Sequence, residues 1–148
     1  MQRGWCLGPL GTRREGDVTG GASTQIAPQL EQLFRRVLFN VLIGNRDDHL
    51  RNHGFLRQGN GWVLSPAFDV NPNPEKHDHV LTFDGNDGSP DSAPMIATRD
   101  FYRLTAARSA QIEQEVRDAV RGWAVVARQV GLRNAEIERM RDVIDAGR

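Results

Sequence analysis

Apolar residues recur at three- and four-residue intervals over three long stretches of the chain, and that period predicts helices. The first stretch runs through Leu30, Leu33, Phe34, Val37, Leu38, Val41 and Leu42. Its stripe is wide, which assigns this helix to the centre of a core. It is expected to begin near Ala27, with Ser23 or Thr24 as the capping side chain, Pro28 in the first turn and Gly44 as the terminator. A shorter helix is expected over residues 92–102. A longer one follows over 106–130, with Ile112, Val116, Ala119, Val120, Trp123, Val126, Ala127 and Val130 facing inward and Gly131 ending it. Asn134 is read as the cap of a last helix that carries Ile137, Met140, Val143 and Ile144.

Between the first and second helices the period changes. Gly54-Phe55-Leu56-Arg57 and Trp62-Val63-Leu64 flank Gln58-Gly59-Asn60-Gly61, which reads as a β-hairpin with Asn60-Gly61 as its turn. Pro66, Pro72 and Pro74 keep residues 65–78 irregular. Residues 80–83 form a candidate short strand, and 84–91 a polar loop. Residues 1–24 are rich in Gly, Arg, Ser and Thr without a period, and are expected to be a loosely ordered lead-in to one domain over 25–148. The fold class is therefore mainly α, with a small β-hairpin beside polar loops.

Composition narrows the function classes. The chain has 148 residues, 39% hydrophobic and 26% charged, which suits a single globular domain. Basic and acidic residues number 19 each, so the total gives no electrostatic footprint for direct nucleic-acid binding. Lys76 is the sole lysine among many arginines, and Cys6 the sole cysteine, which excludes an intramolecular disulfide and fits a reducing cytoplasm. No apolar run reaches the length of a membrane span, and no signal-peptide pattern opens the chain.

The chemistry concentrates in Asn45-Arg46-Asp47-Asp48-His49-Leu50-Arg51-Asn52 and in Phe68-Asp69-Val70. An Asp, an Asn five residues on, and a second Asp beyond a hairpin form the pattern of a phosphotransferase site. Asp47 can accept the proton of an attacking hydroxyl, while Asn52 and Asp69 offer oxygens to a hard cation such as magnesium. The same residues admit a plain structural reading, because Asx side chains routinely satisfy backbone groups in helix-terminating loops and turns. His49 can brace the loop, and Asp48 can face solvent or support its neighbours. His77-Asp78-His79 is a weak transition-metal candidate without a third ligand, and residues 84–88 resemble a calcium loop without the spacing of one.

Residues 33–55, centred on Gly44-Asn45-Arg46-Asp47-Asp48-His49-Leu50-Arg51-Asn52-His53, together with Leu64-Ser65-Pro66-Ala67-Phe68-Asp69-Val70, closely resemble the C-terminal region of HipA-type serine/threonine kinases, the toxins of bacterial toxin–antitoxin modules. Val80-Leu81-Thr82-Phe83-Asp84-Gly85 and the late tryptophan segment Val120-Arg121-Gly122-Trp123, with Gly131-Leu132, extend the likeness to most of the chain from about residue 20. The resemblance implies a protein-kinase-like C-terminal lobe that moves the ATP γ-phosphate to a protein hydroxyl. It assigns Asp47 as the catalytic aspartate, His49 as a histidine scaffolding the catalytic loop, and Asn52 and Asp69 as magnesium ligands. Arg51 stands where the family usually has Lys and would meet nucleotide phosphate as a wider, forked donor. Implied with these are ATP and magnesium as cofactors, a protein substrate and a HipB-like DNA-binding antitoxin as partner. The family's N-terminal lobe, with its phosphate-covering loop and nucleotide lysine, has no counterpart in this sequence; Lys76 lies after Asp69, outside that lysine's place in the chain. A truncated frame, a split kinase with its other lobe on a separate chain, and a fragment are the readings of that gap, and each predicts negligible activity for these residues alone. A non-catalytic interaction module, or the remnant of a toxin gene, is the competing expectation.

Overall fold

The computed structural model describes the backbone of residues 5–6 and residues 26–59, 61–83, 88 and 91–144. The expected caps Ser23 and Thr24, the turn residue Asn60 and most of the loop at 84–91 lie outside these. Helix α1 spans Ile26–Leu42 and buries its apolar stripe completely, with Phe34, Leu38 and Leu42 among the most enclosed side chains. Gly44 ends it in the left-handed region, at φ +70°.

Helix α1 is the hub of the core. It packs against α3 (Ala106–Arg121) through Ile112, Val116 and Val120, and against the segment carrying Met95 and Tyr102. Phe34 and Tyr102 meet edge to face, with ring centroids 5.2 Å apart and planes at 75°. The remaining elements are α2 (Ala93–Ala97), α4 (Trp123–Gln129) and α5 (Asn134–Ile144).

Three helical expectations are corrected in detail. Residues 92–102 are α-helical only over α2; they tighten into a 3₁₀ segment at Thr98–Tyr102, which Arg103 closes in the left-handed region. The Thr98 hydroxyl donates to the Met95 carbonyl at 2.6 Å, a local bond that competes with α-geometry. The helix expected over 106–130 breaks at Gly122 into α3 and α4, glycine being a poor interior helix residue. The break turns the stripe: Val116, Val120 and Ala127 are buried, while Ala119, Val126 and Val130 face solvent. Asn134 lies inside α5 rather than capping it. The helix start is served instead by Glu136, whose carboxylate accepts from the Arg133 backbone N–H at 2.8 Å, half of a capping box.

Thr105 caps α3, its hydroxyl accepting from the Arg108 backbone N–H at 3.2 Å. Thr105→Ala is expected to destabilise the fold by about 1 kcal/mol. Urea denaturation should show a lower midpoint with an unchanged slope.

The hairpin forms from β2 (Phe55–Gln58) and β3 (Gly61–Leu64), antiparallel, with Leu56 opposite Val63 and Gln58 opposite Gly61. That register puts Gly61, expected in the turn, into strand β3, and Gly59 at φ +58° supplies a left-handed turn conformation. Two further short strands, Trp5–Cys6 (β1) and Leu81–Thr82 (β4), pair in parallel. Among the described residues no helix is long and apolar enough to cross a membrane.

The fold brings the polar loops together. Residues 45–49 leave α1, a 3₁₀ turn at Leu50–Asn52 follows, and the hairpin reverses the chain. The irregular stretch after it returns to the loop: the Asn73 N–H donates to the Gly44 carbonyl at 2.9 Å and the Val80 N–H to the Arg46 carbonyl at 3.1 Å.

Candidate active site

Below the loop lies a buried polar layer. Asp48 is enclosed, and its Oδ2 accepts from Asn40 Nδ2 at 2.8 Å. His53 Nε2 lies 3.1 Å from both Asp48 oxygens. Arg36, also buried, donates to the Ser65 carbonyl at 2.6 Å and adds its charge to the field around Asp48. Asn45, 1% exposed, donates to the Asn40 side chain at 3.4 Å and to the Asp69 carbonyl at 3.1 Å. Buried amides and charges are tolerated where they bond one another. Here their bonds tie α1, the 45–53 loop and the Asp69 segment into one unit.

The expected site residues stand on this layer. Asn52 is buried, and its Nδ2 donates to Asp69 Oδ2 at 3.1 Å across the hairpin. Asp69 is exposed at φ +56°, a conformation that aspartate tolerates better than most residues, and its Oδ1 accepts from Asn71 at 3.2 Å. Asp47 is half exposed, its two oxygens taken by Asn73 Nδ2 and Lys76 Nζ. His49 starts the 3₁₀ turn, with Nδ1 buried and lacking a partner among the described residues. Arg51 is exposed and makes no hydrogen bond or ion pair with another described residue.

The donor set suits a hard cation in one respect. A carboxylate and a side-chain amide sit within bonding distance of each other, and magnesium commonly takes few protein oxygens and completes its shell with phosphate and water. A cation shared by this pair needs the Asn52 oxygen where its nitrogen now stands, a half-turn of the terminal amide. Among the described residues no three His, Cys, Asp or Glu side chains cluster as metal ligands, and His77-Asp78-His79 does not form such a site. His79 is buried, and that burial, with the charge of Arg46, pushes its pKa down. A groove of about 550 Å³ is bordered by Arg36, Phe39, Ala67 and Val70, and none of Asp47, Asn52 and Asp69 lines it.

The hydrogen bond from Lys76, seconded by that from Asn73, holds the Asp47 carboxyl below the usual aspartate range. The stability from this pairing is present above the unfolded-chain pKa and is lost as pH falls through the lower folded value. Because Asp47 is half exposed, solvent screening keeps the contribution small. A ¹³C carboxyl titration is expected to show the depressed value in the wild type and a return toward the ordinary range in Lys76→Ala; an unchanged titration would remove Lys76 as the cause.

Sequence reasoning missed Asn40, His53, Asn73 and Lys76. His53 carried a signal, since it lies in the same loop as Asp48, and so did Asn40, a polar residue on the buried face of α1. Lys76 carried none, standing 29 residues beyond Asp47 in a proline-rich stretch.

A helical domain with an acidic loop braced from beneath, its Asn and second Asp joined across a hairpin, is the class that fold and site define. The profile of the HipA-like C-terminal domain matches residues 16–141, and the chain belongs to that family. No curated protein matches it.

Proposed function

We propose that this domain is the catalytic-loop lobe of a HipA-like serine/threonine protein kinase. The observation that carries the reading is the 3.1 Å contact between Asn52 and Asp69, made across the hairpin between residues far apart in sequence. Family membership supports it. In the reaction the acceptor hydroxyl oxygen forms a bond to the γ-phosphorus of ATP, the bond from that phosphorus to the bridging oxygen of ADP breaks, and the hydroxyl proton passes to Asp47. Asp47 can serve because an aspartate is a carboxylate at neutral pH, and its oxygens already accept hydrogen bonds from Lys76 and Asn73. Asn52 and Asp69 are the residues that would hold magnesium, which when bound neutralises charge on the phosphates. Arg51 is free to reach a phosphate oxygen from the surface. His49 completes the loop between Asp47 and Asn52. The protein substrate, the cytoplasmic setting and a HipB-like antitoxin partner belong to this proposal through the family.

These residues supply one side of a nucleotide site, and positioning from both sides contributes much of the rate. The 148-residue chain by itself is therefore expected to bind nucleotide weakly. Calorimetric titration with ATP, with and without magnesium, tests the reading. Asp69→Ala should lose the magnesium-dependent part of binding, whereas Asp47→Asn, which touches the acceptor hydroxyl and not the metal, should retain it. Equal binding by wild type and Asp69→Ala would remove Asp69 from the metal site.

A second reading has its own observation. Phe68, adjacent to Asp69, is 47% exposed, and the hairpin displays Leu56 and Trp62. Apolar side chains next to the site favour a surface that engages another protein. A module of that kind predicts no magnesium-dependent nucleotide binding by the wild type.

A further inference from the structure

The stretch that carries Lys76 is laced to the loop that carries Asp47. The buried Arg46 guanidinium donates to the Lys76 carbonyl at 2.7 Å and to the His77 carbonyl. On the near side the Asn73 N–H donates to the Gly44 carbonyl at 2.9 Å, and on the far side the Val80 N–H donates to the Arg46 carbonyl at 3.1 Å. Asn73 also accepts from the Glu75 N–H at 2.8 Å, which sets the turn leading into Lys76. Backbone contacts on both sides thus fix this lysine over Asp47, and its ammonium bonds Oδ1 of that aspartate.

An exposed ion pair adds little to stability, so stability alone does not account for a buried arginine spent on positioning this lysine. An ammonium has three donors and a compact charge, and bonding Asp47 uses one of them. Among the described residues the ammonium makes no other hydrogen bond, and the side chain is about half exposed, which leaves donors for a second anion. Arg51, by contrast, makes no hydrogen bond or ion pair with Asp47.

We propose that Lys76 is a positioning residue of the phosphotransfer site, bridging Asp47 to the terminal phosphate of a bound nucleoside triphosphate. The inference rests on the kinase reading and assigns to Lys76 a role that its place in the sequence does not suggest. It orients the aspartate toward the acceptor hydroxyl and brings positive charge to the phosphoryl oxygens.

Because Lys76 is the only lysine, isotope-labelled lysine in the full chain gives one side-chain signal for Nζ and Cε. That signal is expected to shift when Asp47 is replaced by Asn, which reports the pairing without nucleotide. With magnesium present it should shift further on adding ATP than on adding ADP at matched occupancy, since ADP lacks the terminal phosphate. Lys76→Ala should bring the affinity for ATP down to that for ADP, and Lys76→Arg should restore part of the difference. Equal shifts with ATP and ADP would overturn the role of Lys76 and leave the kinase reading standing. Failure of the chain to bind either nucleotide with magnesium would remove the kinase reading and this role together.

Discussion

Replacing Asp48 with alanine is expected to destabilise the fold by about 3–5 kcal/mol, the range for removing one member of a buried charged cluster. The carboxylate is 2% exposed and is the acceptor for Asn40 and His53. Arg36 is buried nearby, with Nε and Nη1 lacking hydrogen-bond partners among the described residues, so the field of Asp48 is the main compensation for its charge. Alanine leaves a buried cation, an amide and an imidazole without that partner at once. Against a total stability of roughly 5–15 kcal/mol, this is a large fraction. Asp48→Asn keeps an accepting oxygen and should lose less. Urea denaturation with the slope unchanged measures both; a loss below about 1 kcal/mol for the alanine variant, the scale of an exposed pair, would mean that the cluster is solvated.

Gly44→Ala is the second large effect. The residue sits at φ +70°, where an alanine side chain is strained by about 1–2 kcal/mol. Its Cβ would also collide with Val143 Cγ1 on α5 and stand 3.2 Å from the Val143 carbonyl oxygen, and overpacking of that kind adds about 1–3 kcal/mol. The sum is about 2–5 kcal/mol. The Gly44 carbonyl receives the Asn73 N–H, so a shift here also displaces the segment that presents Asn73 and Lys76 to Asp47. Thermal unfolding tests the stability term. The Asp47 carboxyl titration tests the coupling, because the depressed value should rise if Lys76 moves away.

The parts of the fold legible in the sequence are those governed by local periodicity. The stripe from Leu30 to Leu42 reports burial directly, and it is buried. Periodicity failed at Gly122, where an apolar spacing continued through a residue that breaks the helix, so Val126 and Val130 were assigned to a core they do not join. It failed again at Thr98, where a side-chain hydroxyl selects the tighter turn. In the loop, the residue types of Asp47, Asn52 and Asp69 were readable, and the hairpin made the approach of Asp69 to Asn52 foreseeable. The neighbours that give those residues their properties were not. Asp47 owes its depressed pKa to Lys76 and Asn73, which arrive from a proline-rich stretch through contacts of Arg46 and Gly44 that no short-range rule encodes.

Gln29 illustrates the same limit on the other side of the hairpin: its side-chain oxygen accepts the Leu64 N–H at 2.7 Å, anchoring β3 to α1 from an exposed-looking helical position. Together with Arg36 on the Ser65 carbonyl, it fixes where the chain leaves the hairpin and hence where Asp69 is delivered. The site is thus set by polar side chains of α1 as much as by its own loop.

If Asn52 and Asp69 hold magnesium for a nucleotide, as proposed, calorimetric titration of the wild type against Asp69→Ala will separate the two proteins. ATP binding is expected to strengthen with magnesium in the wild type and to lose that dependence in the variant. Magnesium dependence of the same size in both proteins, or none in either, would contradict that proposal.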